Sequence, residues 1–292
     1  MPSLKEVRNK IVSVGSTMQI TSAMKMVSAA KLKRAQDAIT QMRPYANKLK
    51  EILENVSASV DASENVYARN TGVKSVLIIA VSSNRGLAGA FNSNIIKKVN
   101  LLIQNEYAGK DVTVIPVGKK VHDAFRRTKY FISGQDLPHH TSTLFDKLSY
   151  EGAAPVMEKI TQAFLNKEFD KVVIVYNQFR NAAVQIPTEE QLLPVVADSS
   201  AAAKTNVDYI YEPNQEYIVN ELIPRSVKTQ FYKALLDSFA SEHGARMTAM
   251  HKATDNAKAM QRDLKIMYNK ARQASITKEI LEIVGGAEAL KG

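Results

Sequence analysis

The sequence predicts a mixed α+β, α/β fold. Helices from the two ends of the chain pair as a long antiparallel coiled coil, and an α/β domain is inserted between them. Three observations carry this. Residues 4–60 hold a heptad seam, residues 236–281 hold another, and the stretch between them alternates apolar strand-like runs with helical spacing. Two seams about 175 residues apart in one chain close on each other only if the intervening domain is an insertion. The layout is that of a shaft or strut before it is that of an active site.

The first seam runs Leu4, Val7, Ile11, Val14, Met18, Thr21, Lys25, Ser28, Leu32, Ala35, Ile39, Met42, Ala46, Leu49, Leu53, Val56, Val60, in alternating steps of three and four. That spacing keeps one stripe on an under-wound helix. No glycine lies between Gly15 and Gly72, and 57 residues of helix span roughly 85 Å. Pro44 predicts a bend or break near Gln41–Pro44. The second seam runs Leu236, Phe239, His243, Arg246, Met250, Ala253, Ala257, Met260, Leu264, Met267, Ala271, Ala274, Lys278, Leu281. Matching the polar interruptions of the two seams places Lys25 near residue 245 and Leu4 against Ile266. The segment beyond about residue 267 then has no partner in the chain, although Ile276, Ile280, Leu281, Ile283 and Val284 spread over several of its faces. Such a helix requires an outside sheath. The predicted divisions are 1–60 for the N-terminal shaft helix, 73–200 for the inserted domain and 208–290 for the C-terminal shaft helix.

In the insertion, Lys74 to Ser83 is a continuous apolar run ending at the turn Asn84-Arg85-Gly86, as a buried parallel strand does. Phe91 to Tyr107 has helical spacing. Val112–Val117 predicts a second strand, Val121–Arg127 a short helix, Ala154–Leu165 a longer one, and Lys171–Tyr176 a third strand. Ala183–Ile186 and Leu192–Ala197 predict edge strands or a hairpin, and Ser199–Asn206 a loop. This alternation gives a small three-layer, Rossmann-like α/β domain. Its turn SSNRGLAGAFNSN, Ser82 to Asn94, admits a phosphate-binding reading at a helix N-terminus. It equally admits a tight βα turn with Asn92 or Ser93 as cap. Neither GxGxxG nor GxxxxGK[ST] occurs. His139-His140 stands beside Pro138 with no further histidine near it, which favours a loop over a metal site.

Composition bounds the function. Net charge is +6 over residues 1–60, +5 over 225–292 and −1 over 61–224, so the basicity lies in the paired ends. That suits an acidic partner surface. Nucleic acid is disfavoured because those ends hold few aromatics for base stacking and show no helix-turn-helix, zinc or basic-zipper spacing. The chain has no cysteine, which excludes disulfides and thiolate chemistry. No 18-residue apolar run is present, and residues 1–3 lead directly into heptads without a signal-peptide core. These features predict a protein held on the cytoplasmic side of a bacterial-type cell, peripheral to membranes through partners. No catalytic constellation is visible, and no cofactor is expected.

Ile20 to Gln36 (ITSAMKMVSAAKLKRAQ) and Ser82 to Asn92 resemble signatures of the gamma subunit of F-type (proton-translocating) ATP synthases of bacterial type. Ser241 to Leu290, with SEHGARMTAM, ATDNA, YNKARQASITKEI and EIVGGAEAL, carries the most specific part of the likeness. Gly244 stands where the family more often has alanine or another small residue, and the cysteine-bearing insertion of the chloroplast kind is missing. The resemblance implies a non-catalytic central-stalk rotor that couples proton-driven rotation of the c-subunit ring to the conformational cycle of the catalytic beta subunits. The implied partners are the alpha and beta subunits, an epsilon-type subunit and the c ring, with attachment to the inner-membrane surface through them. Carried over by position, Met24, Lys25, Arg246, Arg272, Gln273, Thr277 and Glu279 are expected to touch the alpha/beta ring, and Tyr209 and Glu212 the c ring. The competing reading from the residues alone is a phosphate- or nucleotide-binding α/β enzyme with coiled-coil oligomerisation helices.

Overall fold

The computed structural model describes residues 3–59, 66–69, 72–132, 137–138, 141–195 and 221–289. In chain order the elements are α1 (Leu4–Ser59), β1 (Ser75–Val81), α2 (Phe91–Leu101), β2 (Asp111–Val117), α3 (Lys119–Phe125), α4 (Tyr150–Leu165), β3 (Lys171–Phe179), β4 (Gln185–Leu193) and α5 (Ile223–Ala289). Contacts divide the chain into two compact units, Met1–Ser28 with Met247–Gly292 and Ala29–Arg246. The division falls inside both long helices rather than at their ends.

The start of α1 is fixed by a reciprocal cap. The Glu6 amide donates to Ser3 Oγ at 3.2 Å, and the Ser3 amide donates to Glu6 Oε2 at 3.2 Å, satisfying two of the donors every helix start leaves open. Of the bend or break expected near Gln41–Pro44, the break is not found, and helix continues through Pro44. Ile39 and Ala46 are buried on either side, so tertiary packing holds a helix that has lost one internal hydrogen bond.

In the unit Ala29–Arg246 a four-stranded sheet has the order β2-β1-β3-β4. β1 pairs in parallel with β2 and β3, and β4 closes one edge antiparallel to β3. Residues Val76–Val81 of β1 are all buried, as a central strand covered on both faces requires. One face packs Val76, Ile78, Val114 and Val173 against Ile95 and Val99 of α2 and Val121 and Phe125 of α3. The other packs Leu77, Ile79, Ile115 and Ile174 against Met157, Ile160 and Phe164 of α4 and Ile223, Val227, Phe231, Ala234 and Leu235 of α5. The first turns of α5 are thus the third layer of the domain. Reading the C-terminal helix as shaft alone missed this, because Val227, Phe231, Ala234 and Leu235 follow an ordinary amphipathic spacing.

Where Ala183–Ile186 and Leu192–Ala197 were expected as edge strands or a hairpin, one strand, β4, runs from Gln185 to Leu193, and residues 196–197 lie outside the described residues. Its middle is polar because Glu189 and Glu190 point to opposite faces. The buried Tyr107 hydroxyl donates to Glu189 Oε1 at 2.9 Å, and the buried Tyr176 hydroxyl donates to Glu190 Oε1 at 3.0 Å. Lys98 of α2 lies 3.4 Å from Glu189, and Lys233 of α5 lies 3.6 Å from Glu190. Consecutive glutamates thereby tie one edge strand to both helical layers, and they erase the apolar alternation that identifies a strand.

In the unit Met1–Ser28 with Met247–Gly292 the helices run antiparallel. Thr254 Oγ1 donates to Thr21 Oγ1 at 2.8 Å, and a Cβ placed on Gly15 would lie 3.0 Å from Gln261 Nε2. Thr21 therefore faces Thr254 and not the neighbourhood of residue 249 that matched polar layers predicted. The register is displaced by roughly one and a half turns. The side chains turned inward on α5 include Met250, Thr254, Ala257, Gln261, Leu264, Tyr268, Ala271 and Ser275, whereas Met260 and Met267 are exposed. Half-buried positions continue to Ser275, and every described residue from 276 onward is exposed. The unpaired tip begins later than residue 267. On α1 the inward positions of this unit follow the predicted heptad, with Val7, Thr21 and Ser28 buried.

Candidate functional site

The unit of residues 1–28 and 247–292 carries large apolar side chains on its outside as well as on its inside, where Val7, Ile11, Val14, Met18, Met250 and Leu264 are turned inward. Its interior includes Gly15, Thr21, Ser28, Thr254 and Ala257, and Ser28 Oγ donates back to Met24 O at 2.8 Å. Its outside carries Val12, Ile20, Met26, Val27, Met260, Ile266 and Met267, and the tip adds Ile276, Ile280, Leu281, Ile283 and Val284. Ile276, Ile280, Ile283 and Val284 share one stripe of the helix, and Ile283 is 72% exposed. Apolar surface of this extent on one element marks a binding face. The physical reason is that each such side chain gains roughly 1.5–3 kcal/mol when covered.

The residues carried over by resemblance fall in four groups. Met24 and Lys25 are half-buried, while Arg272, Gln273, Thr277 and Glu279 are exposed on the tip helix. Thr277 Oγ1 donates to Gln273 O at 2.9 Å, and Ser275 Oγ donates to Glu279 Oε1 at 3.4 Å. Arg272 has no ion pair among the described residues. Tyr209 and Glu212, expected at the c ring, lie outside the described residues, as do the predicted loop Ser199–Asn206 and the His139-His140 pair.

Arg246 belongs to neither surface, being only 7% exposed. Its Nη1 donates to Glu242 Oε1 at 2.6 Å and approaches His243 Nδ1 at 3.5 Å. Its Nη2 donates to Arg85 O at 3.1 Å and Gly86 O at 3.3 Å, and its Nε donates to Gly86 O at 3.4 Å. The carried-over role of a ring contact therefore meets a side chain already engaged within its own chain.

The same contacts decide between the two readings of the turn after β1. The turn aims the carbonyls of Arg85 and Gly86 at a cation, whereas phosphate cradles aim amides at an anion. The Ser83 amide donates to Asn92 Oδ1 at 3.0 Å, and Asn84 Nδ2 donates to Ser142 O at 2.7 Å. Asn92 braces the turn and does not cap α2, whose N-cap is Ala90 without a side-chain bond. Sequence reasoning missed Glu242 and the ion pair of half-buried Arg43 with buried Asp237, at 2.7 Å. Only the i,i+4 spacing of Glu242 and Arg246 signalled the first.

Burial sets the protonation here. The Glu242 and Asp237 carboxyls are raised by desolvation, against the opposing pull of Arg246 and Arg43 respectively. His243 is lowered from 6.5 to about 3, by burial first and then by Arg246 and Lys31. An Arg Nη only donates, so His243 Nδ1 accepts and the proton sits on Nε2. The neutral ring lies edge-on to Phe239 at 4.5 Å. Above pH 6.5 the stability contributed by this neutral ring is complete. It is lost as pH falls toward 3, with a limiting slope of about 1.4 kcal/mol per pH unit. The raised carboxyls act oppositely, since their contribution is lost as pH rises through their folded values. Replacing His243 by Gln removes only the first effect. Urea unfolding at about pH 7.5 and about pH 5, on either side of the ordinary histidine value, should show His243→Gln gaining on the parent chain upon acidification. Parallel pH profiles would contradict the neutral assignment.

A family model described as ATP synthase matches residues 3–290. The ATP synthase gamma chain of Christiangramia forsetii is 55% identical over the full length of both chains, and that of Flavobacterium johnsoniae is 56% identical over the same extent. A chain from the central stalk and c-ring structure of the Tetrahymena thermophila mitochondrial ATP synthase aligns with TM-score 0.59 at 27% identity, covering 80% of this chain and 99% of that one. A chain of the Euglena gracilis mitochondrial enzyme aligns with TM-score 0.66 at 20% identity, covering 98% and 94%, a likeness of fold. Full-length identity of this degree, together with two long terminal helices flanking a mixed sheet, has one reading: the chain belongs to the gamma chains of the ATP synthase family.

Proposed function

We propose that the apolar exterior of residues 1–28 and 247–289 turns inside a ring of alpha and beta subunits, and that the α/β domain carries the epsilon-type subunit and the c ring. The chain is a non-catalytic central-stalk subunit, and ATP synthesis and hydrolysis belong to the assembled complex. In this reading, proton flow rotates the c ring and the stalk with it, and the asymmetric shaft drives the beta subunits through their binding states. The observation that supports it is the large apolar exterior, with Val12, Ile20, Met26, Ile266, Leu281 and Ile283 all exposed. A shaft that slides past successive neighbours needs contact area without fixed hydrogen bonds to break, and dispersion and hydrophobic contact supply that.

Around the tip, Arg272, Gln273, Thr277 and Glu279 supply polar contacts to beta, with Met24 and Lys25 in the same unit. Tyr209 and Glu212 are the proposed foot on the c ring. The complex is membrane-associated, and no described helix is long and apolar enough to cross a bilayer. Its proposed place is the cytoplasmic face of the bacterial inner membrane, reached through its partners. The test is recovery of the affinity-tagged chain from its own cells. Alpha, beta and epsilon homologues should copurify in an ATPase-active complex, and recovery of the chain free of alpha and beta would overturn the reading.

A further inference from the structure

Arg246 is the last residue of the α/β unit on α5, and the helix continues beyond it without a break. A guanidinium has five N–H donors. Here each of its three nitrogens has acceptors: Nε reaches Gly86 O, Nη1 reaches Glu242 and His243, and Nη2 reaches Arg85 O and Gly86 O. None is left over for a neighbouring subunit. Beside it, Ala245 packs with Ala88 and Phe91 from the same turn, and Gly244 sits where a Cβ would come within 3.2 Å of Ala182. Asn177 Nδ2 of β3 donates to Phe91 O at 3.0 Å. Three consecutive residues of α5 are therefore seated on the connections that follow β1 and β3.

We propose that Glu242, Arg246 and the Arg85–Gly86 turn form a clasp that locks the rotation of α5 about its own axis to the sheet, so that torque passes between the domain and the helix without slip. Arg246 is then a positioning residue whose effect on coupling runs through the turn. The inference rests on the rotor reading. A planar fork bound to two carbonyls and a carboxylate resists twist in a way that a single contact or a flexible ammonium does not. Glu242 completes it, because without the carboxylate the buried guanidinium is left without its counter-charge.

The test uses Arg246→Ala, Arg246→Lys, Glu242→Gln and the double variant Glu242→Gln/Arg246→Ala. In the full-length chain, hydrogen exchange of peptides covering residues 83–92 should quicken roughly ten- to hundredfold in each single variant, as expected when a charged hydrogen bond holding a local structure is lost. In the assembled enzyme, the ratio of proton pumping to ATP hydrolysis should fall in both Arg246→Ala and Glu242→Gln, and the double variant should be no worse than the worse single one. Lysine at 246 should restore little of the loss. If Arg246→Ala lowers the ratio while Glu242→Gln leaves it and the exchange at wild-type values, Arg246 acts on the ring and the clasp is wrong. Unchanged exchange in all variants also overturns it. Because exchange is read on the chain alone, it judges the clasp even if the chain proves not to assemble with alpha and beta.

Discussion

Gly118→Ala should unfold the α/β domain at a markedly lower temperature than the parent chain. Gly118 joins β2 to α3 at φ +103°, and a Cβ there would lie 2.2 Å from Ser82 O and 2.9 Å from Ser82 Oγ. Ser82 cannot retreat. Its amide donates to Val117 O at 2.7 Å, and its Oγ accepts from the Val121 amide at 3.0 Å. The substitution therefore combines backbone strain with a collision against fixed backbone, and should cost roughly 3–5 kcal/mol. For a domain of this size that is a fall in midpoint of roughly 10 °C. Gly72→Ala separates the two causes. Gly72 also has φ +78°, but a Cβ on it meets nothing within 4 Å, so strain alone of about 1–2 kcal/mol is expected. Thermal scans of both variants followed by circular dichroism check the order, and equal midpoints would refute it.

Replacing Ile280, Leu281, Ile283 and Val284 together by serine should abolish assembly of the catalytic head while leaving the chain's own thermal stability intact. All four are exposed, between 53% and 72%, so the isolated chain gives up no buried apolar area. In the proposed socket the same side chains are covered, and losing several contacts worth roughly 1.5–3 kcal/mol each exceeds what a subunit interface tolerates. A tip docked on its own domain predicts the reverse: a destabilised chain and a normal yield of complex. Reconstitution with alpha and beta, read as complex yield and ATPase rate beside a melt of the free chain, distinguishes the two. Wild-type yield would remove the tip from the socket.

Several elements were legible because their physics is local. The heptad of α1 marked its inward face correctly down to Thr21 and Ser28, because a seam at steps of three and four constrains which side chains face inward whatever the partner. β1 and β3 were legible as continuous apolar runs, the signature of strands covered on both faces. β4 was not, because Glu189 and Glu190 are satisfied by tyrosines that lie 82 and 14 residues away in sequence. The second seam differs from the structure at Met260 and Met267, because the inner stripe of α5 also runs through Thr254, Gln261, Tyr268 and Ser275, which apolarity alone does not mark, while the two methionines face outward.

By itself the sequence determined the two-helix layout, the inserted α/β domain, the lack of thiol chemistry and, through blocks such as YNKARQASITKEI, the family. Those properties rest on periodicity, composition and motif, which are properties of a string. The tertiary structure decided the register of the coil, the role of the first turns of α5 as a core layer, and the engagement of Arg246 with the Arg85–Gly86 turn some 160 residues earlier. These depend on which long-range partner satisfies a buried charge or covers an apolar face, and burial makes that choice only after the chain has folded.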